Sequence, residues 1–201
     1  MVASGIGAAT RLSGNTARNI ALGGMPVGRR SPRGRRRWYL VHAPGREQAT
    51  CDKLRKILPP DLLEDAFVMR KERWRKYHGA WRLYPVPMYQ EYFFVVTKDV
   101  LALDKELAKL TFPARIAKAD GRHFAPLAKG AQQWYEGVLD TERVIRTSTA
   151  VIEDGVLHVQ SGPLVGQEDR VVKVDRHKRF CFVDVDEGFA ECVPLDVPYK
   201  S

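Results

Sequence analysis

One stretch narrows the possible folds more than any other: Val159-Gln-Ser-Gly-Pro-Leu-Val-Gly-Gln-Glu-Asp-Arg-Val-Val-Lys-Val-Asp-Arg-His-Lys-Arg-Phe-Cys-Phe-Val-Asp-Val185. Its short alternating runs are separated by two turn clusters. The first, Ser161-Gly162-Pro163 with Gly166, supplies the positive φ and the fixed φ that tight turns require. The second, Asp175 to Arg179, is a polar tip where the strand period breaks. Alternation puts Cys181, Val183 and Val185 inward and leaves Phe180 and Phe182 on the outer face. Strands with a glycine-rich entry and a cationic tip predict a small all-β barrel that presents charge at one end.

The charge of the chain is uneven. Lys and Arg total 33 against 24 Asp and Glu, a formal charge of +9. Residues 1–37 hold eight arginines and no acid, so the remainder has 25 basic and 24 acidic residues. A high pI therefore says little about partners, and any basic surface on the folded part must be local. The arm of residues 1–37 lacks apolar periodicity and is expected to be disordered. The three cysteines, Cys51, Cys181 and Cys192, fit no metal spacing and suit a reducing, cytoplasmic setting. No apolar run is long enough to suggest a membrane span.

From Trp38 the pattern becomes regular. Trp38–His42 predicts a strand, and Arg46–Leu58 a helix stopped by Pro59-Pro60. Ala66–Arg75 predicts a strand, with a hairpin turn at His78-Gly79 and a return along Trp81–Tyr84. Tyr92–Thr97 is aromatic and β-branched throughout and is expected to be central. Asp99 can cap a helix reaching Leu110, and a further helix is expected over Lys129–Leu139. This predicts an α+β unit over 38–140, an antiparallel sheet with helices on one face. Thr141–Ala150, polar and Thr/Ser-rich, is expected to be a linker to an all-β unit over 151–201.

Two cationic clusters stand out. In Arg70-Lys-Glu-Arg-Trp-Arg-Lys76 the cations, Arg73, Arg75 and Lys76 among them, interleave with Trp74, Tyr77 and Trp81, with Arg82 across the hairpin. Cations for phosphates and rings for stacking hold nucleic acid without reading base edges. Lys173, Arg176, His177, Lys178 and Arg179 form the second cluster beside Phe180 and Phe182, a combination suited to a structured RNA. The competing explanation for each is a hydrated hairpin whose cations discourage edge-to-edge association. Catalysis finds no support: the histidines are scattered, and neither a phosphate loop nor a nucleophile elbow occurs. No catalytic residue, metal ligand or cofactor is assigned.

The sequence from 159 to 185 resembles a KOW motif, the signature of an SH3-like barrel. Its Gly-Pro-Leu-x-Gly-x-Glu and Asp-Arg-His-Lys-Arg pieces are similar to the LoaP branch of the NusG family of transcription elongation factors. Asp169 stands where a third glycine often sits. Trp38-Tyr39-Leu40 resembles the opening of the family's N-terminal (NGN) domain. Tyr89-Gln-Glu-Tyr92-Phe-Phe94-Val resembles its Phe-Pro-Gly-Tyr-x-Phe-Val motif, with Gln90 and Glu91 in place of Pro-Gly. The resemblance implies an NGN-like domain over 38–140 followed by a KOW barrel over 151–201. It implies contact with the clamp of RNA polymerase through His42, Tyr89, Tyr92 and Phe94, with Tyr89 a partly exposed ring. It also implies nascent RNA on the second cationic cluster, possible contact with upstream DNA, and a cytoplasmic monomer that promotes processive antitermination. The alternatives are a general NusG-type factor whose KOW domain binds ribosomal or termination proteins, and a ribosome- or RNA-binding KOW protein.

Overall fold

The computed structural model describes residues 35–119, 121–186 and 188–198. The expected arm lies outside them as far as residue 34. Its last residues belong to the fold: Arg36 pairs with Glu64 at 3.3 Å, and Arg37 opens the first strand and donates to the Leu127 carbonyl at 3.1 Å.

The N-terminal half is built on a four-stranded sheet of β1 (Arg37–His42), β2 (Asp65–Phe67), β5 (Tyr92–Thr97) and β6 (Arg115–Ile116), in the order β2-β5-β1-β6. The antiparallel pair β1–β5 lies at its centre, with Leu40 opposite Phe94 and Val41 opposite Phe93. Because side chains alternate, each strand feeds two cores. Tyr39, Val41, Phe93 and Val95 pack under α1 (Glu47–Ile57) and α2 (Val100–Leu107) through Cys51, Leu54, Leu103 and Leu107. Trp38, Leu40, Phe94 and Val96 face the other way, toward Trp134, Tyr135 and Val138 of α3 (Lys129–Val138). The helices therefore cover both faces of the sheet, not one. Central strands that carry apolar side chains on both faces require this, since a bare face would leave Trp38 and Phe94 in water. Asp99 caps α2 as expected, accepting from the Ala102 amide at 3.0 Å.

The basic hairpin does not join that sheet. β3 (Arg70–Tyr77) and β4 (Ala80–Pro87) form a separate sheet with β7 (Val144–Ile145), in the order β4-β3-β7. β7 lies within the expected linker. It pairs in parallel with Arg70 and Lys71, and Val144 and Ile145 are buried. The polar neighbours that suggest a linker are consumed by local contacts. The Arg146 guanidinium engages Asp140 at 2.5 Å, Glu72 at 3.2 Å and Glu142, and the Thr147 amide donates to Glu72 at 2.7 Å.

The C-terminal sheet contains β8 (Ser148–Glu153), β9 (Val156–Ser161), β10 (Val171–Asp175), β11 (Phe180–Asp186) and β12 (Phe189–Asp196). Its order is β10-β11-β12-β8-β9. Cys181, Val183 and Val185 point into the core as alternation requires. The sheet does not close into the expected barrel. Between β9 and β10 the chain turns through residues 162–167 and a single 3-10 turn, Glu168–Arg170. The Glu168 carboxylate accepts the Val159 amide at 3.1 Å, taking a position on β9 that a pairing strand would use. The molecule is thus α+β, with a core continuous from Trp38 through α3 to Cys181, Val193 and Leu195.

Gly162 shows why the Gly-Pro-Leu turn needs its glycine. It adopts φ +94°, and a Cβ there would lie 2.6 Å from the Ser148 Cα. Ser148 is itself fully buried and accepts the Leu164 amide at 3.1 Å on its Oγ. Gly166, at φ +75°, has open space around it. Gly162→Ala is expected to cost about 2–3 kcal/mol through backbone strain and overpacking, and Gly166→Ala about 1 kcal/mol. Chemical denaturation of the two variants checks the difference.

Candidate nucleic-acid interface

The two cationic clusters, about 100 residues apart in sequence, meet in space. β7 covers the edge of β3 only at Arg70 and Lys71, and among the described residues no strand pairs with the edge beyond. The C-terminal sheet approaches that edge. Between them lies a groove of about 420 Å³ lined by Lys71–Arg75 and Trp81 on one side. His177–Phe180 and Cys192–Pro194 line the other. The volume falls within the roughly 300–1,000 Å³ of small-molecule sites. Of the expected residues, Arg73, Arg75, His177, Lys178 and Arg179 line the groove; Lys76, Arg82, Lys173 and Arg176 lie outside the lining.

Arg179 joins the two sides. Its guanidinium sits 4.7 Å from the Trp74 ring centroid and 6.0 Å from that of Trp81, a cation–π geometry. It also lies 3.7 Å from Asp196. The residue takes φ +53°, a left-handed conformation uncommon outside glycine, at the end of the hairpin turn. That turn is fixed by the Lys178 amide, which donates to the Asp175 carboxylate at 3.0 Å. Lys178 itself lies 5.9 Å from the Phe180 ring, and Phe180 packs edge-on against Phe182 at 5.4 Å. Both rings are half-buried, not fully on the outside.

The groove is cationic in detail. Its lining holds five cations, Lys71, Arg73, Arg75, Lys178 and Arg179, and one acid, Glu72, which already holds Arg146 and the Thr147 amide; just outside the lining, Glu191, Asp175 and Asp196 lie within 3.8 Å of Lys71, Lys178 and Arg179. Arg73 and Arg75 form no ion pair among the described residues. Trp81 is 57% exposed, and the Trp74 indole N–H has no partner within the described part of the protein. The Trp74–Arg179 stack is absent from the sequence assignment. Interleaved rings and cations on one hairpin are a visible signal, but the residue that covers them is not.

The expected aromatic patch divides. His42 and Tyr92 are half-buried at the end of the β1–β5 pair, with ring centroids 4.9 Å apart. Phe94 is core, 1% exposed. Tyr89, expected to be partly exposed, is only 4% exposed. The C-terminal sheet packs over it, and its hydroxyl donates to Glu191 Oε2 at 2.5 Å. Tyr135 of α3 donates to the same oxygen at 3.0 Å. Glu191 Oε1 accepts the Cys192 amide at 3.0 Å and lies 3.8 Å from Lys71 Nζ, which also donates to the Cys192 carbonyl at 2.5 Å. A ring whose hydroxyl finds a buried acceptor needs no water at its tip.

The Gln90-Glu91 turn keeps glycine-type geometry. Glu91 has φ +67°, its amide donates to the Glu47 carboxylate at 2.5 Å and its carbonyl accepts the Ala43 amide at 2.8 Å. Burial pushes the Cys51 and Cys181 thiols up to about 12, so both stay protonated at neutral pH. Among the described residues no cluster of His, Cys, Asp and Glu is arranged to hold a metal ion, and no helix is long and apolar enough to cross a membrane.

No protein-family model matches the chain, and no curated protein matches it.

Burial, and next to it the charge of Glu191, raises the pKa of Tyr89 and Tyr135 well above the usual tyrosine value of 10.0. Unfolded tyrosines lose their protons near that pH while these two keep theirs, so the folded state binds more protons. Stability is therefore fully present below about pH 10 and falls as pH rises above it. Tyr89→Phe and Tyr135→Phe are expected to flatten that alkaline decline in denaturation curves taken between neutral pH and pH 11. Tyr89→Ala is expected to cost about 3 kcal/mol at neutral pH, as large-to-small changes in a core do.

Proposed function

We propose that this chain is a non-enzymatic transcription elongation factor of the NusG type. It binds RNA polymerase, promotes processive antitermination and holds RNA at the basic tip of the C-terminal sheet. The observation that carries the RNA limb is the convergence of both cationic hairpins on one groove with Trp74, Trp81 and Phe180. Cations supply affinity for phosphates, and rings offer sequence-tolerant stacking. The polymerase limb draws on the sequence resemblance to NGN and KOW domains. The half-buried His42–Tyr92 pair beside Glu91 is the part of the aromatic patch that a partner can reach, with Tyr89 and Phe94 packed beneath it. A factor that bridges polymerase and transcript acts by shifting populations toward the elongating state and needs no chemistry of its own.

A second possibility has one observation in its favour. Val156, Val165 and Val172 of the C-terminal unit are large and exposed. Exposed apolar side chains suit a protein partner, as in the general factors whose KOW domain binds ribosomal or termination proteins.

Tagged full-length chain is expected to co-purify RNA polymerase subunits; ribosomal proteins in their place would favour a ribosome-bound factor. Arg176→Glu with Lys178→Glu changes two exposed tip residues and is expected to leave the fold intact. RNA binding and terminator readthrough in a reporter should be lost while polymerase is still captured. Unchanged readthrough would move the C-terminal unit to the protein-binding alternative.

A further inference from the structure

Resting on the RNA-binding proposal, we infer that the groove between the β3–β4 hairpin and the C-terminal tip is a composite site for unpaired, single-stranded RNA. In this site Trp81 is the platform on which a base stacks, and Arg179 is the strut that holds the two sides together.

Three observations converge. Trp81 is 57% exposed at the lip of the groove, an unusual cost for the largest apolar side chain unless something covers it. The ring beneath, Trp74, is half-buried and already covered by the Arg179 guanidinium at 4.7 Å. Arg179 reaches the Trp81 ring only at 6.0 Å, so most of the aromatic surface left open to a ligand is that of Trp81. Lys76, directly across the hairpin from Trp81, shares its face, and Lys178 and Arg179 come from the other side of the groove, so a strand whose base lies on Trp81 places its phosphates among cations from both sides. An A-form duplex keeps its bases stacked inside and offers no free face to such a ring, whereas every unpaired base does. The chemistry recognised is therefore an unpaired base with its flanking phosphates.

The site exists only while the two sides are together. Arg179 comes from β11's hairpin and both tryptophans from β3 and β4, so neither unit alone holds the complete arrangement.

The test uses the full chain and fluorescein-labelled 10-mers: oligouridine, oligoadenine, single-stranded DNA of the adenine sequence, and a blunt RNA duplex of equal length. Binding is read by anisotropy at several salt concentrations. The wild-type chain is expected to prefer the single-stranded RNAs to the duplex. Trp81→Ala should weaken them by about 5- to 100-fold, the scale of losing one stacked base. Its salt slope should be unchanged, because a ring releases no counterions, and its melting temperature should match wild type. Trp81→Phe should restore most of the affinity. Lys76→Ala should instead lower the salt slope by about 0.7. Arg179→Lys, which keeps the charge and loses the planar stack, should weaken single-strand binding as well. Wild-type affinity in Trp81→Ala, or equal binding of the duplex, overturns the stacking site. Preference for the DNA overturns its assignment to RNA. If Trp81→Ala is silent while the Arg176→Glu, Lys178→Glu pair still abolishes RNA binding and readthrough, this inference falls and the proposed function stands. If single strands bind as expected but polymerase is not captured, the groove stands and the transcription role falls. Absence of binding to every nucleic acid removes both.

Discussion

Glu191 is the residue on which the rest of the arrangement depends. One of its oxygens takes two tyrosine hydroxyls from the N-terminal half, and the other is held by the Cys192 amide with Lys71 nearby. A buried carboxylate is costly unless its lone pairs are filled, and here three of the four partners, Tyr89, Tyr135 and Lys71, come from segments far from Glu191 in sequence. The apolar contacts of Trp38, Trp134, Val183 and Leu195 supply most of the attraction between the halves. They are not directional. The Tyr89–Glu191–Tyr135 contacts select one docking among the many that an apolar surface permits, and that docking brings Arg179 over Trp74.

The local elements are legible because each carries its own signal. Tyr92–Thr97 announces a central strand, Asp99 a capped helix, and Pro59-Pro60 the end of α1. What escapes the sequence is set by tertiary packing. Val144 and Ile145 are too short a run to show a strand, and Arg146 among carboxylates looks like solvated linker until Glu72 arrives from β3. The Glu168–Val159 contact, which leaves the C-terminal sheet open, is equally invisible, because it depends on where a 3-10 turn places one side chain. Position in a motif likewise cannot show that Tyr89 is buried, since its cover is Glu191, 102 residues away.

The candidate site was half legible for the same reason. Cations interleaved with tryptophans on β3 and β4, and the cationic turn before β11, are compositional facts. Their meeting is not. Free β3 edges invite unwanted pairing, and charged side chains commonly guard them. In this molecule the guarded edge also becomes one wall of a groove, so the residues that discourage association with another sheet are the ones that would meet phosphates in the proposed function.

The separation between Lys71 and the Cys192 carbonyl, 121 residues, has a kinetic side. The β3–β4 hairpin closes through neighbours a few residues apart, whereas the opposite wall of the groove waits for β11 and β12. Contacts that span most of a chain form late, because loop closure must be met before they contribute. During synthesis the hairpin therefore emerges long before its cover, with Trp74 bare and one backbone edge unpaired. The cations along it would then have an earlier duty, keeping the nascent chain from pairing with its neighbours until the C-terminal sheet arrives.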